Sequence, residues 1–557
     1  MSEINRRGLL TGTGAVVGGA LALAAVPAPA GAAPATRPGA APPAPRTPGD
    51  TIRPDDPRYA MLTTGNNKRF VAAPEYVRMV RSTEDAEQAV REAVRSGRRV
   101  SVRSGGHTFA DLVCNPDVEV IIDLSEMTEV RYDAGRRAFA VQPGVRLLNL
   151  YEALYKGWGV TIPGGMCYSV GAGGHVAGGG YGLLSRAHGL VVDHLYAVEV
   201  VVVDADRTVR TVVATREADD PHRDLWWAHT GGGGGTFGLV TRYWFRSPDA
   251  TGEEPSRQLM RPPSTVLAGA LSFPWQDLDE RRFARLLKNF GAWHEEHSAP
   301  DAPETAIGTV FNVCHRAHGS LDLFVQADAQ APGAERMLDD YLSALTAGTG
   351  LRATALTKAS GDLPAMPQLA APRRMPWLDA TRLVGTNNPT ITHPGLRGAH
   401  KSAYMRRNFT DRHTAALYRH LTTEEYANPD TMVVLFSFGG RVNAVPPHAT
   451  ANSQRGSVFK MLFQTFWTDP AGDAAGLGWA RAAYEDFLAD TQGAPVPGDQ
   501  YEGCYINYPD TDLKDPARNR SGVPWQTLYY QDNHARLREI KHRWDPTGFF
   551  RHSLSVG

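Results

Sequence analysis

Two short segments each place a nucleophilic side chain among glycine residues. The first runs Arg103-Ser104-Gly105-Gly106-His107-Thr108 and sets an imidazole beside two glycines. The second, residues 163–175, sets the thiol of Cys167 among glycines. Glycine lets backbone approach a ligand closely with its N–H groups free, whereas imidazole and thiolate form covalent bonds to bound groups. The pair predicts a ligand held against backbone and attached through two side chains.

Glycine recurs in two tracts, residues 171–182 and 229–240. At least half of the first tract is glycine, and each glycine costs roughly 1 kcal/mol in a helix interior, so an ordinary helix is not expected there. A flexible linker would lack the interleaved Val170, Val176 and Tyr181. We interpret both tracts as loops whose N–H groups wrap a phosphate-bearing ligand.

Composition excludes some partners. The chain has 557 residues, with Lys+Arg 58 and Asp+Glu 59, so it is long enough for two or more domains and carries no charge bias toward nucleic acid or an anionic membrane. Four cysteines allow at most one disulfide if Cys167 is occupied, and their spacing suggests no metal site.

The N-terminus has the pattern of an export signal. Arg6 and Arg7 precede an apolar run to about Val26 and small residues with Ala-x-Ala spacing up to Ala33. This predicts a twin-arginine signal peptide over residues 1–33 and a secreted protein, the alternative being an uncleaved membrane anchor. The Pro/Ala-rich stretch that follows predicts a disordered linker over residues 34–54, with the fold beginning near Asp55.

Hydrophobic periodicity predicts an α+β protein in three parts. Residues 55–248 alternate helices and strands, residues 249–490 carry an antiparallel sheet backed by helices, and residues 491–557 form a closing segment dense in aromatic residues. We predict helices over residues 85–95, 147–156 and 281–296, and strands over residues 99–103, 118–123, 138–142, 198–203, 321–327 and 431–437.

The two nucleophile segments, the glycine tracts and the closing Tyr505-Ile506-Asn507-Tyr508-Pro509-Asp510 resemble the berberine-bridge-enzyme-like FAD-linked oxidases of the vanillyl-alcohol-oxidase superfamily. The likeness is to actinomycete bicovalent-flavin oxidases that tailor antibiotics. It implies a two-part, PCMH-type FAD-binding domain over residues 55–248, a substrate domain, and a C-terminal segment that returns to the FAD domain. It also implies FAD bonded to His107 through the 8α-methyl and to Cys167 through C6.

The resemblance implies further cofactor-binding residues in the same segments, with no metal. They are Arg103, Ser104, Gly105, Gly106, Thr108, Gly171, Gly173, Gly174, His175, Gly179, Gly180, Gly182, Asp193, Gly232, Gly233, Gly238, Val240, Asn507 and Tyr508. We expect His175 to be a structural donor rather than a second base.

Three tyrosines are candidates for catalysis. In the family's antibiotic-modifying and sugar-oxidising branches, the position of Tyr508 holds the base near flavin N5, and that of Tyr181 lines the substrate pocket. Tyr404 is a further candidate phenol, with Lys401 available to favour phenolate. Because an ordinary tyrosine has a pKa of about 10, such a base needs neighbours that stabilise phenolate. No carboxylate interrupts residues 431–438, so the glutamate-dependent ring closure of plant relatives is not expected.

The resulting expectation is a secreted oxidase that dehydrogenates an alcohol, hemiacetal or amine of a bulky secondary metabolite, with hydride passing to flavin N5 and O₂ reduced to H₂O₂. The alternatives are an extracellular carbohydrate oxidase and, from a different class, a flavin-carrying binding protein without turnover. Small-molecule substrate and O₂ are the expected partners, with no nucleic acid and no membrane after signal cleavage. The substrate, an acceptor other than O₂ and the oligomeric state remain open.

Overall fold

The computed structural model describes residues 50–386 and 389–557. The predicted signal peptide and most of the predicted linker therefore lie outside the described residues. The predicted linker boundary at residue 54 is too far along the chain, because Thr51 and Ile52 already form a strand that pairs with Arg78 and Val77. The fold thus includes residues at least four positions before Asp55.

The first part of the chain holds two sheets. A four-stranded sheet has the order β1-β2-β4-β3, and a five-stranded antiparallel sheet has the order β5-β6-β9-β7-β8. Its elements are β1 (Thr51–Ile52), α1 (Tyr59–Leu62), β2 (Tyr76–Met79), α2 (Thr83–Ser96), β3 (Val100–Arg103), β4 (Val120–Asp123), β5 (Val130–Asp133), β6 (Ala138–Val141), α3 (Leu147–Trp158), α4 (Ala172–Ala177), α5 (Ser185–His188), β7 (Leu195–Val203), β8 (Val209–Thr215), α6 (Arg223–Ala228) and β9 (Leu239–Phe245).

Helix α2 shows how sequence builds this part. Ser82 caps its N-terminus by accepting a hydrogen bond from the N–H of Asp85, and Gly97 ends it in the left-handed conformation. Its buried residues, Ala86, Ala89, Val90, Ala93 and Val94, follow helical spacing and join one core with strand residues of both sheets. The helix therefore ties the two sheets together.

The second part is built on one large sheet. Its main path is β13-β10-β12-β11-β16-β17-β15, all antiparallel, with β14 also paired to β10. The elements are β10 (Thr265–Pro274), α7 (Glu280–Glu296), β11 (Ile307–Cys314), β12 (Ser320–Asp328), α8 (Ala334–Thr346), β13 (Thr354–Ala355), β14 (Arg373–Pro376), α9 (Trp377–Thr386), β15 (Arg397–Met405), α10 (Asp411–Thr422), β16 (Thr431–Ser437), β17 (Phe459–Trp467) and α11 (Asp473–Phe487).

The C-terminal segment carries two helices, α12 (Trp525–Tyr530) and α13 (Asn533–Trp544), and contacts the first part of the chain. The ammonium of Lys541, in α13, donates a hydrogen bond to the carbonyl oxygen of Thr236 at 2.6 Å. The hydroxyl of Tyr530 donates one to the carbonyl oxygen of Gly232 at 3.1 Å. The segment thus packs on the second glycine tract.

The α+β class is confirmed, and every predicted helix and strand listed above overlaps an observed one. One expectation was wrong: residues 172–177 form a short α-helix despite Gly173 and Gly174. At Gly173 a Cβ would lie 3.0 Å from Ser104 and 3.1 Å from Pro143, whereas the missing Cβ of Gly174 has nothing within 4 Å. No helix in the described ranges is both long and apolar enough to cross a bilayer. All four cysteines are free thiols.

Candidate active site

One large cavity brings together the segments singled out by sequence. Its wall includes Ser104–Thr108, the 171–182 tract, Gly234, Gly235 and Gly238, and the closing residues 505–509. The opposite wall is the face of the large sheet, with Thr309, His400, Phe436 and Gln464 among its lining residues. The cavity therefore lies between the glycine-rich first part and the large sheet.

His107 and Cys167 meet at one hydroxyl. The Nε2 atom of His107 lies 2.9 Å from Oγ of Ser169, and Sγ of Cys167 lies 3.8 Å from the same oxygen. Burial lowers the pKa of His107 to about 4 and raises that of Cys167 to about 11. At neutral pH His107 is an unprotonated nucleophile, whereas Cys167 must lose its proton before it can form a bond.

Backbone contact between two glycines fixes this meeting. A Cβ added to Gly105 would lie less than 3.0 Å from the backbone of Gly171, and the reverse substitution would collide with Gly105 and with Ser104. Gly174, by contrast, has nothing within 4 Å of its missing Cβ and lines the cavity. The first tract therefore uses glycine both for packing and to leave room inside the cavity.

Two tyrosine hydroxyls share a hydrogen bond at the same cavity. The hydroxyls of Tyr181 and Tyr508 are 2.5 Å apart, although the two residues are 327 positions apart in sequence. Burial raises the pKa of both phenols well above 10, while the hydrogen bond from Tyr181 acts to lower that of Tyr508. Either hydroxyl can donate in this pair; when Tyr181 is the donor, the hydrogen bond favours the anion of Tyr508.

The cation beside these phenols is Lys460, which sequence reasoning missed. Its ammonium lies 2.9 Å from the ring centre of Tyr181, 4.0 Å from that of Tyr505 and 4.7 Å from that of Tyr508. The nitrogen is buried with no hydrogen-bond partner in the part of the chain that the structure describes, and burial lowers the Lys460 pKa well below its usual value. An aromatic cage of this kind attracts a cation through the ring faces.

Lys401, the predicted partner of Tyr404, has a different role. Side chains alternate across a strand, so Lys401 and Tyr404 of β15 point to opposite faces of the sheet. Lys401 lies 2.8 Å from a carboxylate oxygen of Asp510 and 2.8 Å from one of Asp512. These buried ion pairs hold the turn that follows Tyr508, and the prediction that Lys401 favours a Tyr404 phenolate was wrong.

The structure places most predicted site residues in the cavity wall, but not all of them. The ones that do not line it are Arg103, Tyr404, Gly179, Gly180, Asp193, Gly232 and Gly233. Arg103 instead pairs with Asp123 at 2.6 Å, and Asp193 pairs with buried Arg455 at 2.7 Å. The Nε2 atom of His175 accepts a hydrogen bond from the N–H of Gly165 at 3.2 Å, which joins the two glycine-rich segments.

Sequence reasoning also missed polar residues on the sheet side of the cavity. Asp362 lines the cavity, has no hydrogen-bond partner among the described residues, and has its pKa raised by burial to about 6. Both ring nitrogens of His400 and the amide nitrogen of Gln464 are buried and have no hydrogen-bond partner within residues 50–386 and 389–557. A polar residue inside an otherwise apolar strand could have indicated these positions in the sequence, as with Lys460 and Gln464 in Phe459–Trp467.

Comparisons with known proteins point to one family. A model described as FAD binding domain matches residues 74–212, and one described as Berberine and berberine like matches residues 504–557. The aclacinomycin-N/aclacinomycin-A oxidase of Streptomyces galilaeus is 47% identical over 100% of this chain and 99% of its own. This chain belongs to the berberine-bridge-enzyme-like FAD-linked oxidases.

Two further members broaden the comparison. The hexose oxidase of Chondrus crispus is 31% identical over 90% of this chain and 93% of its own. A crystal structure of a glycopeptide hexose oxidase complexed with teicoplanin superposes with a TM-score of 0.85 at 44% identity, covering 92% of this chain and 99% of that one.

The cavity of this berberine-bridge-enzyme-like oxidase suits FAD. Asp362 is the single carboxylate among the described residues that line it, so little repels the two phosphates. Backbone at Gly105, Gly174 and Gly234, with the guanidinium of Arg551, offers donors for anionic oxygens. These segments would hold the dinucleotide, with His107 and Cys167 beside the reactive ring.

Attachment is tested by removing the nucleophiles. His107→Ala and Cys167→Ala should each keep flavin bound through the remaining bond, and the double variant should release all of it on denaturation. Ser169→Ala, which touches both side chains, is the matched control and should keep its flavin. Flavin fluorescence is measured in the acid-precipitated protein, and free flavin from the wild-type protein would contradict two covalent bonds.

Asp362 gives a prediction with a defined pH dependence. Its pKa of about 6 exceeds the ordinary 3.8, so the folded chain binds the proton more tightly, and this favourable contribution is lost as pH rises from about 4 to 6. Asp362→Asn should therefore stabilise the protein at pH 7.5, by on the order of 1–3 kcal/mol, and not at pH 4.

The measurement is the Tm at both pH values, with exposed Asp301→Asn as the control. An equal gain at both pH values would contradict the unpaired carboxylate. A lower kcat/KM in the more stable variant would mark Asp362 as a residue kept for function.

Proposed function

We propose that this chain is an oxidase that converts an alcohol, hemiacetal or amine carbon of a bulky natural product into a carbonyl or imine. The observation that carries the proposal is the Tyr181–Tyr508 hydroxyl pair beside Lys460, in the same cavity as His107 and Cys167. This arrangement places a candidate proton acceptor, Tyr508, in the same cavity as the predicted flavin attachment residues.

The chain's own part in the reaction is to move a proton. A hydrogen bond donated by Tyr181 favours the anion of Tyr508, and the nitrogen of Lys460 beside the pair would add an opposite charge in its protonated form, which burial disfavours. That phenolate takes the proton from the substrate heteroatom as the neighbouring carbon gives up its hydride. FAD, when bound, supplies the acceptor for that hydride.

The relatives support the substrate class. One oxidises aclacinomycins, and the glycopeptide hexose oxidase is seen with teicoplanin. A sugar carried by a larger natural product fits both the polar side chains Asp362, His400 and Gln464 and the aromatic surfaces of the cavity. The second candidate, a free-carbohydrate oxidase, is favoured by the likeness to hexose oxidase.

The proposal includes two covalent bonds to FAD, through His107 and Cys167, and O₂ as the acceptor that is reduced to H₂O₂. A cofactor bonded at two points would stay in place in a cavity wide enough for a bulky substrate. A peroxide-coupled screen of glycosylated natural products against free oligosaccharides separates the two substrate candidates. A flavin that no substrate reduces would instead favour the binding-protein alternative.

The base assignment is tested with any substrate found in that screen. Tyr508→Phe should slow flavin reduction by about 100-fold or more, the range typical of a lost general base. Tyr404→Phe is the matched control, since this buried tyrosine does not line the cavity, and its rate should stay within a few-fold of wild type.

Tyr181→Phe should move the pH at which reduction reaches its plateau upward, because the loss of a hydrogen-bond donor raises the pKa of Tyr508. Stopped-flow bleaching of the flavin, measured against pH, reports all three variants. Reduction of the Tyr508→Phe variant at the wild-type rate would remove Tyr508 as the base.

We also propose export through the twin-arginine route, which rests on Arg6 and Arg7 and the apolar run after them. Replacing both arginines with lysine should retain the protein in the cells that make it, whereas a Lys→Arg change elsewhere should not. Cell fractionation with immunodetection measures this, and unchanged secretion of the double variant would rule out the route.

A further inference from the structure

A second group of chemically active side chains lies outside the cavity, where β11 turns into β12. Cys314 ends β11, His318 lies in the turn and Asp322 follows in β12, a Cys-x₃-His-x₃-Asp spacing. All three are buried, and each offers one ligand atom within 4.8 Å of the others. None of them lines the cavity described above.

We propose that Cys314, His318 and Asp322 bind a zinc ion that stabilises this hairpin. Thiolate sulfur, imidazole nitrogen and carboxylate oxygen are the three donor types that zinc accepts, at about 2.3 Å for sulfur and 2.0–2.2 Å for nitrogen and oxygen. A thiolate, a neutral imidazole and a carboxylate balance the two charges of the ion, so the occupied site adds no net charge to the interior.

Hydrogen bonds from neighbouring hydroxyls fix the orientation of the Asp322 carboxylate, as is usual for a metal-binding carboxylate. The hydroxyls of Ser272 and Ser320 donate to Oδ1 of Asp322 at 2.6 and 2.9 Å. Its Oδ2 atom is left facing His318, 3.0 Å from Nε2. Outer hydrogen bonds of this kind hold metal-binding carboxylates in place, and a separation near 3 Å between two donor atoms suits ligands of one ion.

The local charges favour a cation. Among the described residues, neither Asp322 nor Asp430 forms an ion pair with lysine or arginine. Asp430 interacts electrostatically with both Cys314 and His318, and it is only partly buried. Two carboxylates and a thiol therefore surround one imidazole, and a water molecule would take the fourth position of a tetrahedral ion.

Burial makes this site structural rather than catalytic. A Cys-His-Asp set is also the composition of a nucleophilic triad, but Cys314 and Asp322 are fully buried and a substrate has no route to them through the cavity. The hairpin matters to the oxidase because Thr309 and Val310 of β11 line the cavity. An ion at its end would fix the strand that forms part of the cavity wall.

The test is metal analysis of the full-length, flavin-loaded protein after incubation with zinc sulfate and desalting. Wild type should hold about one zinc per chain. Cys314→Ala should lose it, and Cys114→Ala, which removes another buried free thiol, should keep it. His318→Gln keeps a hydrogen-bonding group toward Asp322 but should also lose the metal.

X-ray absorption at the zinc edge of the wild-type protein needs no variant, so the proposal remains testable if Cys314→Ala fails to fold. It should show one sulfur at about 2.3 Å and lighter atoms at about 2.0–2.1 Å. Absence of bound zinc, zinc retained by Cys314→Ala, or a shell without sulfur would each overturn the proposal and leave the cluster as a hydrogen-bonded His–Asp pair.

Discussion

The site depends on one backbone contact, between Gly105 and Gly171. Neither position has room for a Cβ, so the loop that carries His107 and the tract that follows Cys167 lie directly against each other. This approach brings an imidazole and a thiol, sixty residues apart in the chain, to the same serine hydroxyl. An alanine at either glycine would separate the two nucleophiles, since backbone cannot give way as a flexible side chain does.

The sheet side of the cavity keeps polar groups that the fold itself does not need. Among the described residues, the Lys460 nitrogen has no hydrogen-bond partner, and burial shifts both Lys460 and Asp362 toward their neutral forms. Groups left in this state reduce the free energy of unfolding. Asp362 faces the cavity and Lys460 lies among the rings of Tyr181, Tyr505 and Tyr508, so both are placed beside the proposed reaction.

Sequence was most informative where function requires a local pattern. The glycine segments, His107, Cys167 and Tyr508 stand in short contiguous stretches, and helices and strands with clear periodicity were predicted nearly to their ends. Lys401 and Lys460 show the limit. Strand register and side-chain alternation decide which of the two lysines faces Tyr404. In the structure Lys460 of β17 lies directly opposite Tyr404 of β15, and no local sequence pattern reveals that register.

The same register links substrate recognition to the proposed base. Strand β15 presents His400 to the cavity on one face, while the adjacent Lys401, on the other face, binds Asp510 and Asp512. Asp510 lies two residues after Tyr508, so one strand both lines the cavity and anchors the turn that carries the phenol. Because a buried charge left without its partner is costly, this turn has one strongly favoured position. The position of the Tyr508 hydroxyl is thereby set by the same sheet that lines the cavity.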